Sequence, residues 1–377
     1  MTVRARSWGV AVGVLLVDLL VLAGCAAGSD REAGTRTSAA RPALSELAVL
    51  DTPRSYEGPS TAMIPEAAIT PATEAPSQSL PATVVSHDSA GDVDVEVTDT
   101  SRVVAIDLAG SVAATVWGLG LGDTLVGRDQ STTFPGTEDL VVVTSGGHTV
   151  NTEAVIALRP TVVITDGTVG PRDVLEQLRD VGIAVVFVEN EASFEGAAEL
   201  ARQVAAVYGA PEAGETLAGQ IGRQVRATIA EIADIAPTSD SDKLRMVFLY
   251  LRGSAGVYYL FGSESGADQL IAALGGVDAA TELGWEGMRP LTDEAMVAAN
   301  PDLILVMTKG IESVGGVDGL LADKPAIALT AAGEHRRFVD MEDGEILSFG
   351  PRSALVLDAL ARAVYAPEVG SSSGGGS

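Results

Sequence analysis

Short apolar runs alternate with amphipathic stretches from about residue 100 to residue 366. In the first half, four apolar runs predict strands at Arg102–Asp107, Leu140–Thr144, Thr161–Thr165 and Ala184–Val188. The stretches between or after these runs have helical periodicity, over Thr152–Leu158, Arg172–Val181 and Phe194–Tyr208. Strands that are apolar along their whole length are typical of parallel sheets covered on both faces. The pattern therefore predicts an α/β fold.

A long helical stretch then interrupts the alternation. No proline follows Pro211 until Pro237, so a single helix is predicted to begin at Pro211 and to run to about Ala236. Beyond it the alternation restarts, with strands predicted at Met246–Leu251 and Leu303–Met307 and helices at Asp268–Leu274, Glu294–Ala299 and Arg352–Tyr365.

The two halves repeat one spacing. The spacing from Glu153 to Pro160 equals the spacing from Glu294 to Pro301, and a predicted strand follows each proline. We therefore predict two α/β lobes with central sheets, residues 99–210 and 237–367, joined by a bridging helix over residues 211–236. Ligand sites commonly lie between domains, so the cleft between the lobes is the expected binding site.

The N-terminal region has a different composition. Arg4 and Arg6 precede an apolar run that ends in Leu-Ala-Gly before Cys25, which predicts a lipoprotein signal peptide over residues 1–25 and lipidation of Cys25 on the extracytoplasmic face of the membrane. Cys25 is the only cysteine, so an intramolecular disulfide is excluded. Residues 26–98 lack sustained periodicity and are predicted to be a disordered tether, and residues 368–377 a disordered tail.

Charge and motifs exclude several functions. The formal net charge of −27 would repel phosphates and argues against nucleic acid as a partner. No nucleophile–base–acid set, CxxC, HExxH or P-loop motif is present, so we expect a protein that is not an enzyme. An extracellular lipoprotein enzyme on the same frame and a zinc carrier are weaker alternatives, because histidines are few.

One histidine lies where α/β proteins place ligands. His148 follows Gly146 and Gly147 on a loop between a predicted strand and a predicted helix, and the glycines leave room for close approach. A neutral imidazole is a good iron ligand. The alternative is a loop histidine with a local hydrogen bond, and position alone leaves both interpretations open.

The second candidate is a tyrosine beside an arginine. Tyr250 and Arg252 are two residues apart in a predicted strand and so share a face. A neighbouring guanidinium favours the phenolate, which is a hard donor suited to ferric iron. The alternative is a half-buried core tyrosine with a surface arginine. Tyr258 and Tyr259 are rival donors without an arginine at this spacing.

These residues resemble a known group of proteins over residues from about 100 to 366. Asn151-Thr152-Glu153 running to Pro160, together with Gly118–Gly127, is similar to the solute-binding proteins of iron-siderophore, cobalamin and haem importers. Within that group, Ser145–His148 and Tyr250–Arg252 resemble the haem-binding members, which use histidine and tyrosine as axial ligands. The sequence departs from many relatives at Val112–Thr115, where they carry a glutamate.

The resemblance implies a two-lobed carrier that binds haem between His148 and Tyr250 and delivers it to an ABC permease and ATPase complex. A haem donor protein is a further partner to consider, and a ferric siderophore or a corrinoid is the alternative ligand. Further candidate contacts to haem are Arg252, Met307, Gly146, Gly147, a propionate partner at Arg352, and the rings of Phe134 and Trp285. Glu153 and Glu294 are expected to bind arginines of the permease and also to favour the starts of their helices.

Overall fold

The computed structural model of the protein describes residues 41–88, 90–146 and 149–367. Its strands are β1 (Ser60–Ala62), β2 (Ala82–Asp88), β3 (Gly91–Val97), β4 (Val103–Ile106), β5 (Leu125–Arg128), β6 (Val141–Val142), β7 (Thr144–Ser145), β8 (Thr149–Val150), β9 (Val162–Thr165), β10 (Ala184–Phe187), β11 (Arg245–Arg252), β12 (Val257–Phe261), β13 (Val277–Asp278), β14 (Met288–Pro290), β15 (Leu303–Met307) and β16 (Phe338–Met341). The predicted signal peptide, Cys25 and the tail from residue 368 lie outside the described residues.

The helices follow the predicted order closely. They are α1 (Ser111–Gly118), α2 (Thr152–Leu158), α3 (Arg172–Asp180), α4 (Phe194–Val207), α5 (Pro211–Ala233), α6 (Ala267–Ala273), α7 (Ala279–Glu282), α8 (Asp293–Ala299), α9 (Thr308–Glu312), α10 (Gly316–Asp323), α11 (Pro325–Ala328), α12 (Ala331–Glu334) and α13 (Ser353–Tyr365). Among the residues described, no helix is both long enough and apolar enough to span a membrane.

The first lobe is built on a parallel sheet. Its five strands are ordered β10-β9-β4-β5-β6, and every neighbouring pair is parallel. All residues of the central strands β4 and β9 are buried, as expected for strands covered by helices on both faces. The α/β fold predicted from the apolar runs is confirmed.

The second lobe has a mixed sheet. Its seven strands follow the path β1-β16-β15-β11-β12-β14, with β13 paired to β11. β15 and β16 are parallel to β11. On the other side, β12 is antiparallel to β11, and β14 is antiparallel to β12. The predicted strand Leu303–Met307 has the predicted bounds, and β11 extends one residue beyond Met246–Leu251 at each end.

The helix α5 connects the lobes. It begins at Pro211 as predicted and ends at Ala233, three residues before the predicted end. Its buried side chains Leu217, Ile221 and Val225 recur every four residues, so they form one face of the helix. The helix packs against α4 of the first lobe and against α13.

The loops that follow strands in the two lobes touch each other. A Cβ added to Gly344 would lie 2.4 Å from the carbonyl oxygen of Ser131, so the loop after β16 packs directly on the loop after β5. Nearby, the rings of Phe194 and Phe349 meet edge to face with centroids 5.3 Å apart. The carboxyl ends of the two sheets therefore face the same junction.

The prediction of a disordered tether is wrong for residues 41–98. β1 lies parallel to β16 and forms the edge of the second-lobe sheet, and Leu44 is fully buried in the main core. The buried guanidinium of Arg337 donates to the Ser60 hydroxyl at 2.8 Å and to the carbonyl of Val364 at 2.9 Å. These bonds tie the segment to the last helix. Residues 26–40 lie outside the described residues.

The rest of this segment packs on the first lobe. Ile69 is buried beside Ala114 and Phe134, and the hairpin of β2 and β3 lies against β10. The Ser86 hydroxyl accepts a hydrogen bond from the Phe187 amide at 2.9 Å. Single apolar residues of this segment pack between elements of the first lobe. The segment is therefore ordered although its sequence lacks the periodicity of an independent helix or sheet.

Candidate functional site

Three of the predicted ligand-binding residues meet at the ends of β11 and β15. The guanidinium carbon of Arg252 lies 4.6 Å from the centroid of the Tyr250 ring, and Arg252 Nη2 is 3.7 Å from Met307 Sδ. All three side chains are partly exposed. The prediction that Tyr250 and Arg252 share a face of the strand is therefore confirmed, and Met307 joins them from the neighbouring strand.

An unpredicted carboxylate holds the arginine in place. Asp343 accepts a hydrogen bond from Arg252 Nη2 and, through its other oxygen, one from the Lys309 amide at 3.0 Å. Asp343 follows β16 just as Arg252 and Met307 end their own parallel strands. Asp343 lies 91 residues from Arg252 in the sequence. Its position directly after a strand is the only sequence feature that could have indicated a place at this edge of the sheet.

A lysine and a glutamate extend this network. Lys309 Nζ donates to Glu342 at 2.8 Å. This bond, with smaller contributions from the charges of Glu342 and Asp343, raises the pKa of Lys309. The edge of the second lobe therefore carries two cations, Lys309 and Arg252, each paired with a carboxylate.

The rival tyrosines differ in their surroundings. Tyr259 lies directly opposite Tyr250 across the β11–β12 pair and shares its face of the sheet. Tyr258 packs on the other face, where its hydroxyl donates to Asp323 at 2.7 Å. Burial, reinforced by this bond and the charge of Asp323, raises the pKa of Tyr258 to about 12. Tyr258 is therefore held as a neutral phenol and is the weaker candidate for a phenolate ligand.

The predicted histidine lies outside the described residues. Gly147 and His148 fall between β7 and β8, whose register pairs Ser145 with Thr149. Gly146 is described, and it is exposed with a φ of +59°, a conformation that favours glycine. A Cβ added there would contact no atom within 4 Å, so the space around Gly146 is open. The ligand role of His148 stays a prediction.

Arg352 is buried. It is only 3% exposed, and its guanidinium donates to Glu345 at 3.3 Å and to the Gly344 carbonyl at 3.0 Å. Burial lowers the pKa of this guanidinium, and Glu345 opposes that effect. Arg352 is therefore not exposed at the surface, and its guanidinium carbon lies 5.5 Å from the centroid of the Phe134 ring in the first lobe. Its role as a propionate partner stays a prediction.

The two aromatic side chains predicted to flank the ligand also have other roles. Phe134 is 1% exposed and packs edge to face on Trp117, with ring centroids 5.5 Å apart. Trp285 packs with the core cluster on the face of the second sheet opposite to Tyr250. Neither position supports a contact with a ligand at Tyr250.

A pair of buried carboxyl groups lies at the carboxyl edge of the first sheet. Asp107 follows β4 and accepts hydrogen bonds from the amides of Ser111 and Val112 at the start of α1, both at 3.0 Å. Asp129 follows β5 and accepts one from the Asp107 amide at 3.1 Å. Burial, with the neighbouring charge of Asp129, raises the pKa of Asp107 well above its usual value.

The two matched glutamates lie on different lobes. Glu153 is in the first turn of α2 and Glu294 in the first turn of α8, and both are exposed. The residues that precede the first turns cap these helices. The Asn151 side chain accepts a hydrogen bond from the Ala154 amide at 3.0 Å, and the Thr292 hydroxyl accepts one from the Ala295 amide at 3.1 Å. Each lobe therefore presents a carboxylate on its own surface.

Known metal-site patterns are absent from this part of the chain. Within residues 41–88, 90–146 and 149–367, no group of three or more His, Cys, Asp or Glu side chains could hold a metal ion.

Comparisons with known proteins agree with this architecture. Residues 104–344 match the periplasmic binding protein family. An uncharacterized ABC transporter substrate-binding lipoprotein of Bacillus subtilis, YvrC, is 27% identical over 74% of this chain and 85% of its own length. A cobalamin-binding protein of Halobacterium salinarum is 28% identical over 71% of this chain and 70% of its own length. The family and both relatives are named for binding, and the prediction that the chain is not an enzyme is confirmed.

Solved structures of haem-binding proteins are also similar. The haem-binding protein HmuT is 39% identical, with a TM-score of 0.77 over 83% of this chain and 99% of its own. HmuT structures include alanine variants of a histidine, a tyrosine and an arginine, the last two being two positions apart. The haem-binding protein RhuT of Roseiflexus sp. RS-1 is 35% identical, with a TM-score of 0.64 over 71% of this chain and 98% of its own.

Proposed function

We propose that this chain, which belongs to the periplasmic binding protein family, binds haem in the cleft between its lobes and delivers it to an ABC importer. The observation that carries the proposal is the contact of the Arg252 guanidinium with the Tyr250 ring at the carboxyl edge of the second sheet. The names of HmuT and RhuT, and the tyrosine–arginine spacing replaced in HmuT, support the same ligand.

In this proposal the second lobe supplies an anionic oxygen ligand. In that role the Tyr250 hydroxyl binds iron as a phenolate, a hard donor that suits ferric iron, and Arg252 lies against its ring. Asp343 keeps Arg252 in that position. Met307 adds a polarizable thioether at the same edge, where it can contact the porphyrin.

The first lobe supplies the opposite ligand. We assign that role to His148, which follows the open turn at Gly146, and we propose that Gly146 and Gly147 allow the porphyrin to approach the backbone. With one ligand from each lobe, the iron in this proposal lies between the lobes.

A corrinoid is the alternative ligand because the Halobacterium relative is named a cobalamin-binding protein. The discriminating experiment titrates the purified protein separately with hemin and with cyanocobalamin. We expect a Soret band that saturates at one hemin per chain and no binding of cyanocobalamin. Saturable binding of cyanocobalamin without a hemin complex would contradict the haem proposal and support the alternative.

Delivery requires docking on the importer. We propose that Glu153 and Glu294, one on each lobe, bind arginines of the permease, while the partner ATPase supplies the energy for transport. Replacing both with Ala should leave hemin binding intact and reduce uptake. Normal uptake by the double variant would leave the two glutamates with a role in helix stability alone.

The proposed location is the extracytoplasmic face of the membrane. The Bacillus relative is named a lipoprotein, and Cys25 is the proposed lipid attachment site in this chain. Membrane fractionation of Cys25→Ala tests the anchor. The variant should be released from the membrane fraction, and full retention would contradict lipidation at Cys25.

A further inference from the structure

The helices α2 and α8 each expose a large aliphatic side chain three residues after the glutamate. Ile156 follows Glu153 and is 41% exposed, and Val297 follows Glu294 and is 48% exposed. Residues three apart lie next to each other on the surface of a helix. Each lobe therefore presents a carboxylate beside an aliphatic group on one outward face.

The local structure that produces this face is the same in both helices. Each helix has seven residues and a side-chain cap at its start, and each ends at a residue in the left-handed conformation. The residue directly before the aliphatic group is buried in both cases, Val155 in α2 and Met296 in α8. The buried residue fixes the rotation of the helix, so the outward face is set in the same way on both lobes.

Protein stability does not explain the matched aliphatic residues. A single exposed aliphatic side chain is ordinary on a protein surface. Here two of them have the same offset from matched glutamates on separate lobes. Both are β-branched, which is a mild disadvantage in a helix, and their exposed area gains nothing from burial in this chain.

We propose that Ile156 and Val297 complete the docking surface for the permease. On each lobe the glutamate pairs with an arginine, and the aliphatic side chain enters an apolar hollow beside that arginine. This inference rests on the docking role proposed above for Glu153 and Glu294. Two equivalent patches on one chain fit a partner that presents two equivalent surfaces.

Charge favours the permease over other occupants of these patches. The chain carries a net charge of −27, and each patch contains a carboxylate, so the patches of two copies would repel each other. Anionic lipid headgroups would be repelled for the same reason. A surface that combines arginines with apolar hollows is complementary to both parts of the patch.

The two residue types should affect association differently. A carboxylate that meets an arginine at the edge of an interface accelerates the encounter and makes it sensitive to salt. An aliphatic side chain buried at the interface mainly slows dissociation. Removing the glutamates should therefore reduce the salt dependence, whereas removing the aliphatic groups should preserve it.

The test measures association of the full chain with its permease–ATPase complex in nanodiscs, by surface plasmon resonance at low and high salt. The variants are Ile156→Ser with Val297→Ser, and Glu153→Gln with Glu294→Gln. A matched control replaces Val181 and Leu283 with Ser, because these residues are also exposed (60% and 41%) and lie one on each lobe. Hemin titration of every variant checks the ligand site separately.

We expect the aliphatic double variant to bind the complex about tenfold more weakly, through faster dissociation, with an unchanged salt dependence. The control should match the parent. Parent-like affinity of the aliphatic variant would overturn the inference while leaving the glutamate docking intact, provided that the glutamate variant binds weakly. A parent dimer that dissociates in the aliphatic variant, seen by sedimentation, would assign the patches to a second copy and also overturn it.

Discussion

At the scale of single residues, the environment of Tyr250 distinguishes it from its neighbours. Tyr258 donates its hydroxyl to a carboxylate and has the Lys324 ammonium 4.0 Å from its ring centroid, whereas Tyr250 has the Arg252 guanidinium against its ring. The two side chains lie on opposite faces of one sheet. Tyr250 is therefore the tyrosine that lies beside Arg252 and Met307 at the proposed site.

The carboxylate of Asp343 should affect haem binding through Arg252. Asp343→Ala removes the acceptor that holds the guanidinium over Tyr250, and we expect affinity for hemin to fall about tenfold, since charge-assisted bonds of partly exposed groups contribute on the order of 1.4 kcal/mol. Asp343→Asn keeps an acceptor and should recover part of the loss. Hemin titration over a range of pH checks both variants, and parent-like behaviour of Asp343→Ala would contradict this positioning role.

The buried carboxyl of Asp107 predicts a specific dependence of stability on pH. Its pKa is raised in the folded state, so its contribution to stability is complete below its unfolded pKa, near 3.8, and is lost as the pH rises through the folded pKa. Asp107→Asn cannot titrate. The Tm of the parent, relative to that of Asp107→Asn, should therefore fall as the pH rises from about 4 to about 7. A Tm difference that stays constant over this range would contradict the raised pKa.

The sequence identified Tyr250 and Arg252 because residues two apart in a strand must share a face. It could not identify Asp343, which reaches the same place only through the pairing of β16 with β15. It also did not indicate that Arg352 and Phe134 are buried. Both follow loops at strand ends, and only the packing between the lobes shows that they are buried.

At the scale of elements, continuous apolar runs and proline positions were sufficient for most of the two lobes. The bounds of α2 and β15 agree with those predicted. The N-terminal segment was missed because its strands are short or lie outside the main sheets. β1 has three residues and is ordered by β16, and the hairpin of β2 and β3 is ordered by its contact with β10.

The order of this segment can be tested at Leu44. Leu44→Ala removes a fully buried side chain from the main core and should destabilise the protein by about 2–5 kcal/mol. Val49→Ala, at an exposed position in the same segment, should change the stability by less than about 0.5 kcal/mol. Urea denaturation measures both. Equal stability of Leu44→Ala and the parent would mean that the segment is a tether after all.

At the scale of the whole molecule, several elements join the lobes. The helix α5 packs on α4 and on α13, and the segment from Leu44 to Val97 contributes first to the core of one lobe and then to the surface of the other. Bending a continuous helix would break its backbone hydrogen bonds. The lobes should therefore keep their relative position when ligand binds.

Small-angle scattering of the apo and hemin-loaded protein tests this rigidity. The two profiles should superimpose within error, because neither α5 nor the N-terminal segment provides a hinge. A large decrease in the radius of gyration on loading would show that the lobes close around the ligand, and it would contradict the account of the joined lobes.

The most direct test of the central claim is the absorption spectrum of the ferric hemin complex, recorded for the parent, Tyr250→Phe and His148→Ala. A phenolate ligand gives a charge-transfer band to ferric iron. We predict that Tyr250→Phe, which loses only the hydroxyl, abolishes this band, and that His148→Ala keeps the band but changes the spin state. If both variants bind hemin with spectra identical to the parent, then the iron is held by other residues and the proposed site is wrong.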